Sequence, residues 1–137
     1  MFKNAILIDD YAHHPDEIKA SLKGAQEYFE GKKIWTVFHP HTFTRTKALL
    51  QEFSQSFDDV DKVIIIDIYG SAREQQGGVS SEDLVNLINK YHYGRAEYIP
   101  NIDEVIKYLE EKSGQYDVLI TMGAGDVWKI GENLKSL

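Results

Sequence analysis

Five short runs rich in β-branched and aromatic residues recur along the chain, each followed by a stretch with helical spacing. This alternation constrains the fold more than any other feature, because strands that alternate with helices imply a parallel sheet covered on both faces. Residues 5–8 are too few for a helix and give way to polar residues, so they read as a strand. Pro15, Asp16 and Glu17 then suit the first turn of a helix that carries Ile18, Leu22, Ala25 and Phe29 and stops at Gly31. Residues 34–38 form the next strand, with a helix from about Arg45 carrying Leu49, Leu50, Phe53 and Phe57. Residues 63–66 are the most β-branched run and are expected mid-sheet, buried on both faces. Ser80 and Asp83 have capping-box spacing ahead of Leu84, Leu87 and Ile88. A short strand over 96–99 precedes a helix with Val105, Ile106 and Leu109, and a strand over 118–121 leads through a glycine turn to a last helix from Val127.

The length of 137 residues suits one domain, and folding should bury roughly two-thirds of the surface the unfolded chain exposes. A net charge of -7 argues against nonspecific binding to a nucleic-acid backbone, which needs clustered Lys and Arg. The absence of cysteine excludes disulfides and thiolate metal sites and is compatible with a reducing cytosol. No apolar run approaches the ~20 residues that span a bilayer, so no membrane partner is expected.

In an open parallel sheet, ligands bind outside the carboxyl ends of the strands. The loops expected there are DDYAHHP (9–15), HPHTFTR (39–45), DIYGSARE (67–74) and TMGAGD (121–126), which gather four of the five histidines, Arg45, Arg73 and several carboxylates. His13, His14, His39 and His41 are the right type for zinc, but without cysteine or a helical HExxH pair they are expected to face ligands or hydrogen-bond partners. Serines 71, 80 and 81 lack the strained G-x-S-x-G elbow of a hydrolase nucleophile. The glycine turn offers backbone N–H groups for an anion, or simply permits a tight strand-to-helix turn; Trp128 stands where a dinucleotide fingerprint needs a small residue. Arg45 has a planar fork for a carboxylate or phosphate, or is solvated in a first helical turn. Tyr11 and Tyr69 either stack on a ligand ring or line the sheet edge, and Asp10 either accepts from ribose hydroxyls or closes a turn.

Taken together, DDYAHHP, FHPHTFTR, DIYGSARE and TMGAGDVW resemble, in order and spacing, the successive signatures of the C-terminal domain of the Mur ligase family, in the branch that joins L-alanine to UDP-N-acetylmuramate. The resemblance runs from about residue 6 to residue 130. It implies an α/β, Rossmann-like, three-layer domain with a mostly parallel sheet of five or six strands, and residues 1–137 as one domain of a three-domain cytoplasmic enzyme of peptidoglycan synthesis. It also implies a chemistry. ATP phosphorylates the UDP-N-acetylmuramate carboxylate, the amine of L-alanine attacks the acyl phosphate, and a tetrahedral intermediate loses phosphate. By the same resemblance Asp10 would contact the ribose, with Tyr11 and His13 near the nucleotide and phosphates. His14, His41 and Arg45 would face the amino acid and reacting acyl group, and Arg73 with Gly123, Ala124, Gly125 and Asp126 would complete that wall.

Three departures stand against this background. No G-x-x-x-x-G-K-[ST] phosphate loop occurs, so ATP and magnesium would be held mostly by a central domain outside this chain. The domain that holds the UDP-sugar would likewise lie outside it. His39 occupies a position where the family often has Gln, and Thr42 one where some members have Arg. The competing readings are the related murein-tripeptide ligase, whose resemblance is poorer around HPHTFTR, and a free-standing nucleotide-binding module.

Overall fold

A computed structural model describes residues 1–70, 74 and 77–137. The strands are β1 (Ile6–Asp10), β2 (Ile34–Phe38), β3 (Lys62–Ile65), β4 (Ala96–Tyr98) and β5 (Val118–Met122), and the sheet they form runs β1-β5-β2-β3-β4 with every pairing parallel. The helices are α1 (Pro15–Tyr28), α2 (Phe43–Ala48), α3 (Leu50–Ser54), α4 (Ser81–Tyr91), α5 (Ile102–Glu111) and α6 (Lys129–Lys135), the last preceded by a 3-10 turn over Asp126–Trp128.

Alternation along each strand sorts the core into two layers. On one face Ile34, Phe38, Val63, Ile65, Val118, Ile120 and Met122 pack with Ile18 and Leu22 of α1 and with Leu84 and Ile88 of α4. On the other, Trp35, Val37, Ile64 and Leu119 pack with Val105 and Leu109 of α5 and with Ile130 and Leu134 of α6. The expected three-layer α/β architecture is therefore present, with five strands. Phe53 and Phe57 lie 5.4 Å from Phe38, ring to ring, and each fully buried ring of this kind contributes roughly 1.5–3 kcal/mol.

Two expectations need adjustment. β3 is an interior strand, but the sheet's middle position belongs to β2. The second helix is two short helices that part at Leu49 (φ -113°, ψ 20°), and Phe57 lies beyond the end of α3. The break separates two tasks, since α2 is tied to the loop after β3 while Phe53 and Phe57 pack on Phe38. The capping box forms as its spacing requires: Ser80 N–H donates to Asp83 Oδ2 at 2.8 Å and Asp83 N–H to Ser80 Oγ at 3.2 Å.

The topology places the site. Helices following β1, β2 and β3 cover one face, whereas those following β4 and β5 cover the other. Because β5 lies between β1 and β2, neighbouring chains diverge at its carboxyl end and leave a crevice there.

Candidate active site

Three of the four loops singled out in the sequence, those after β1, β2 and β5, meet at that crevice. Gly123 N–H donates to the Asp10 carbonyl at 3.2 Å and His39 N–H to the Met122 carbonyl at 3.0 Å, so β5 stitches the first two loops together. The loop after β3 joins through Tyr69, whose N–H donates to the Pro40 carbonyl at 2.9 Å and whose carbonyl accepts from Thr42 N–H at 2.8 Å.

The β1 loop is held by short-range contacts. Asp10 Oδ1 accepts from Ala12 N–H at 2.9 Å, a local turn, and its other oxygen has no partner among the described residues. Tyr11 is 69% exposed and meets the His13 ring edge-on at 5.1 Å. His13 Nδ1 lies 3.0 Å from the Tyr11 carbonyl and 3.8 Å from Glu17 Oε1. Glu17 also accepts from the N–H groups of His13 and His14, and these bonds hold its carboxyl below the usual range. His14 is exposed at the start of α1.

The β2 loop is built more tightly. His39 is 8% exposed, and its Nδ1 is buried without a hydrogen-bond partner. Burial pushes the imidazole below its ordinary pKa, helped by His41 and opposed by Asp126 and Asp67. The glycine turn accommodates this ring. A Cβ on Gly125 would stand 2.8 Å from His39 Nδ1, and one on Gly123 (φ +138°) 2.8 Å from the His39 carbonyl oxygen. Close approach to His39 therefore calls for glycine at these two positions, as a tight strand-to-helix turn requires. His41 stacks on Tyr69 with ring centroids 5.4 Å apart and planes 10° apart, so Tyr69 lines the site by holding a histidine. The His41 imidazole is also pushed down, by burial first, then by the charges of Arg45 and His13, with Glu74 acting oppositely. Arg45, on α2, has no side-chain ion pair or hydrogen bond among the described residues.

Arg45 and His13 thus both stand near enough to His41 for their charges to act on it. Ala124 and Gly125 are half-buried in the turn, while Asp126 is exposed and 3.6 Å from Lys129 Nζ. Arg73 lies outside the described residues. Nearby, an open cleft of about 720 Å³ is lined by His39, Asp67, Tyr69, Asn101, Asp103 and Asp126 among others. At its rim the Tyr98 hydroxyl donates to the Asp67 carboxylate, which with burial pushes that phenol up to about 12.

Sequence reasoning placed His39 among the histidines facing ligands or hydrogen-bond partners but gave no individual role to it or to Glu74. His39 carried a signal as the first residue of HPHTFTR, directly after the strand end, whereas Glu74 meets α2 from about thirty residues away and left no local pattern.

A family model described as the Mur ligase, glutamate ligase domain matches residues 2–125. The chain belongs to the Mur ligase family. Among curated relatives, a UDP-N-acetylmuramate–L-alanine ligase of Acetivibrio thermocellus is 49% identical over 129 residues, covering 94% of this chain and 27% of the relative. A solved UDP-N-acetylmuramate–alanine ligase of Thermotoga maritima is similar over 95% of this chain and 26% of that one, with a TM-score of 0.73 and 27% identity. A murein peptide ligase of Psychrobacter arcticus gives 0.75 at 20% identity over 98% of this chain and 28% of its own, a likeness that concerns the fold alone. This Mur ligase domain spans about a quarter of the length of the curated relatives it matches. Among the described residues, no helix is long and apolar enough to cross a membrane.

Proposed function

We propose that this chain is the C-terminal domain of a cytoplasmic, ATP-dependent ligase that joins L-alanine to UDP-N-acetylmuramate in peptidoglycan synthesis, with an N-terminal and a central domain completing the enzyme. The observation that carries this reading is the 49% identity to an L-alanine ligase across 94% of the chain.

The residues present fit part of what such a reaction needs. ATP supplies activation of the sugar-acid carboxylate, and its nucleoside end suits the β1 loop: Asp10 keeps one carboxylate oxygen for a ribose hydroxyl, and Tyr11 offers an exposed ring. They do not fit the triphosphate and magnesium, for which the sequence has no phosphate loop. Arg45, which has no acidic side chain paired to it among the described residues, supplies positive charge beside His41 and His13, suited to the carboxylate of the amino acid and to charge developing at the acyl centre. An imidazole held below its ordinary pKa is neutral at physiological pH, so His41 keeps a lone pair with which to take a proton from the ammonium of L-alanine and free the amine that attacks. His14, Arg73 and the turn from Gly123 through Ala124 and Gly125 to Asp126 would complete the amino-acid wall.

The 137-residue chain should fold alone yet bind ATP weakly and catalyse nothing. Titration calorimetry with magnesium-ATP, beside a phosphate-release assay containing UDP-N-acetylmuramate and L-alanine, checks both properties. Tight binding with turnover would overturn the division of labour proposed.

A further inference from the structure

We infer that Glu74 is a positioning residue for Arg45, a clip from the loop after β3 that fixes the helix from which the guanidinium projects; this rests on the role given to Arg45 above. α2 has six residues, far fewer than the ~12–15 that make an isolated helix even marginally stable in water. Its place must be set by what holds its ends.

A helix leaves its first four N–H groups without internal partners. Here all four are satisfied, and the division is informative. Phe43 N–H donates to Glu74 Oε1 at 2.8 Å and Thr44 N–H to Glu74 Oε2 at 2.9 Å. Arg45 N–H donates to Thr42 Oγ1 at 3.1 Å and the N–H of Thr42 itself, the cap residue, to the Tyr69 carbonyl at 2.8 Å. Glu74 accepts a further bond from the Thr44 hydroxyl at 2.7 Å. One carboxylate, 31 and 30 residues away along the chain, therefore closes the start of the helix with three charge-assisted bonds, at the end where the dipole favours a negative charge.

Thr42 makes the clip necessary. Its φ of 66° is a conformation that a β-branched residue rarely adopts and keeps only where the surroundings over-determine it. The surroundings that do so are Glu74 on the next two residues and Tyr69 on Thr42 itself. Without Glu74, Thr42 is free to relax and the first turn of α2 to fray, two residues before Arg45. The guanidinium has no described partner of its own to hold it, so its aim depends on that backbone. Glu74 acts through Arg45 and need not touch the reactants.

The test is a double-mutant cycle in the full-length enzyme, with Glu74→Ala and Glu74→Gln made alone and with Arg45→Lys. Misplacement of a reacting group by about 1 Å costs on the order of 100-fold, so Glu74→Ala should lose about that in kcat/KM for the amino acid while KM for ATP moves less than about twofold. Glu74→Gln keeps one acceptor and should recover part of the loss. With Arg45→Lys already present, Glu74→Ala should cost less than about threefold further, because both changes remove the same interaction. Additive losses, or near-normal kinetics in Glu74→Ala, overturn the inference; should that variant fail to fold, Glu74→Gln carries the same cycle. Amide exchange at Phe43 and Thr44 reads the clip independently of turnover and should quicken at least about tenfold in Glu74→Ala. Unchanged exchange overturns the clip whatever the activity. Wild-type enzyme inactive on L-alanine would instead overturn the proposed reaction, and the exchange result alone would then decide for or against the clip.

Discussion

The loops after β1 and β2 carry similar residues, two histidines each beside a strand end, yet they are held in opposite ways. Partners of the Tyr11–His14 segment lie within four residues, chiefly the Tyr11 carbonyl and Glu17, and Tyr11 stays 69% exposed. Partners of the His39–Arg45 segment come from β5, the glycine turn and the loop after β3. The difference teaches where preorganisation resides. The second loop takes its shape before any ligand arrives, because distant parts of the fold over-determine it, whereas the first has its outward side chains available for a ligand to order.

The comparison breaks most readily at Gly123. An alanine there must adopt φ +138° and place Cβ 2.8 Å from a backbone oxygen, so Gly123→Ala should destabilise the domain by about 3 kcal/mol. Urea unfolding measures this, and a loss under about 1 kcal/mol would show that the turn and His39 are not locked together.

Next in size is Arg45→Lys in the full-length enzyme, which keeps the charge but loses the two-pronged geometry. It should lower kcat/KM for the amino acid on the order of 30–100-fold with little change in Tm. Near-normal turnover would remove Arg45 from the site.

A smaller effect separates the loops by pH. His39 and His41 are held below their ordinary pKa in the folded state, so between that value and about 6.5 the unfolded chain binds more protons and stability rises with pH. The stability they protect is complete above about 6.5 and is lost as pH falls through the lowered values. Thermal melts should show Tm dropping over that window, less steeply in His39→Gln. An unchanged slope would mean that burial of His39 is not what depresses it.

The smallest effect is expected at Tyr11. Tyr11→Ala should leave stability within about 0.5 kcal/mol while raising KM for ATP severalfold in the full-length enzyme. A large drop in Tm would show that the first loop is as tightly built as the second.

The contrast between the loops also explains what could be read in the sequence. Strand runs and the Ser80 capping box were legible because local spacing and single residues encode them, whereas the helix expected to stop at Gly31 already ends at Tyr28, capped at Phe29. The break at Leu49 was not legible, since Leu49, Leu50, Phe53 and Phe57 keep a helical period across it and the cause is how the two halves are tethered. At the site, the polar loops were legible as a set through the rule that strand ends converge. The contacts of His13 with Tyr11 and Glu17 were not, because adjacent histidines cannot be told apart until the backbone sets their directions. The bonds of Glu74 and the burial of His39 depend on contacts between loops far apart in sequence, which local spacing does not encode.

The strand order bears on how the chain reaches its folded state during synthesis. β1 has β5 as its sole neighbour in the sheet, and Asp9 waits for Thr121, 112 residues later. At ribosomal rates of about 5–20 residues per second that wait is on the order of ten seconds, during which β1 has no strand partner and β2 keeps an open edge. Such edges are templates for pairing with other chains. The nascent domain is therefore most exposed to aggregation and to chaperones just before its last strand emerges. A chain interrupted ahead of residue 118 would lack the strand that joins its first strand to the rest of the sheet.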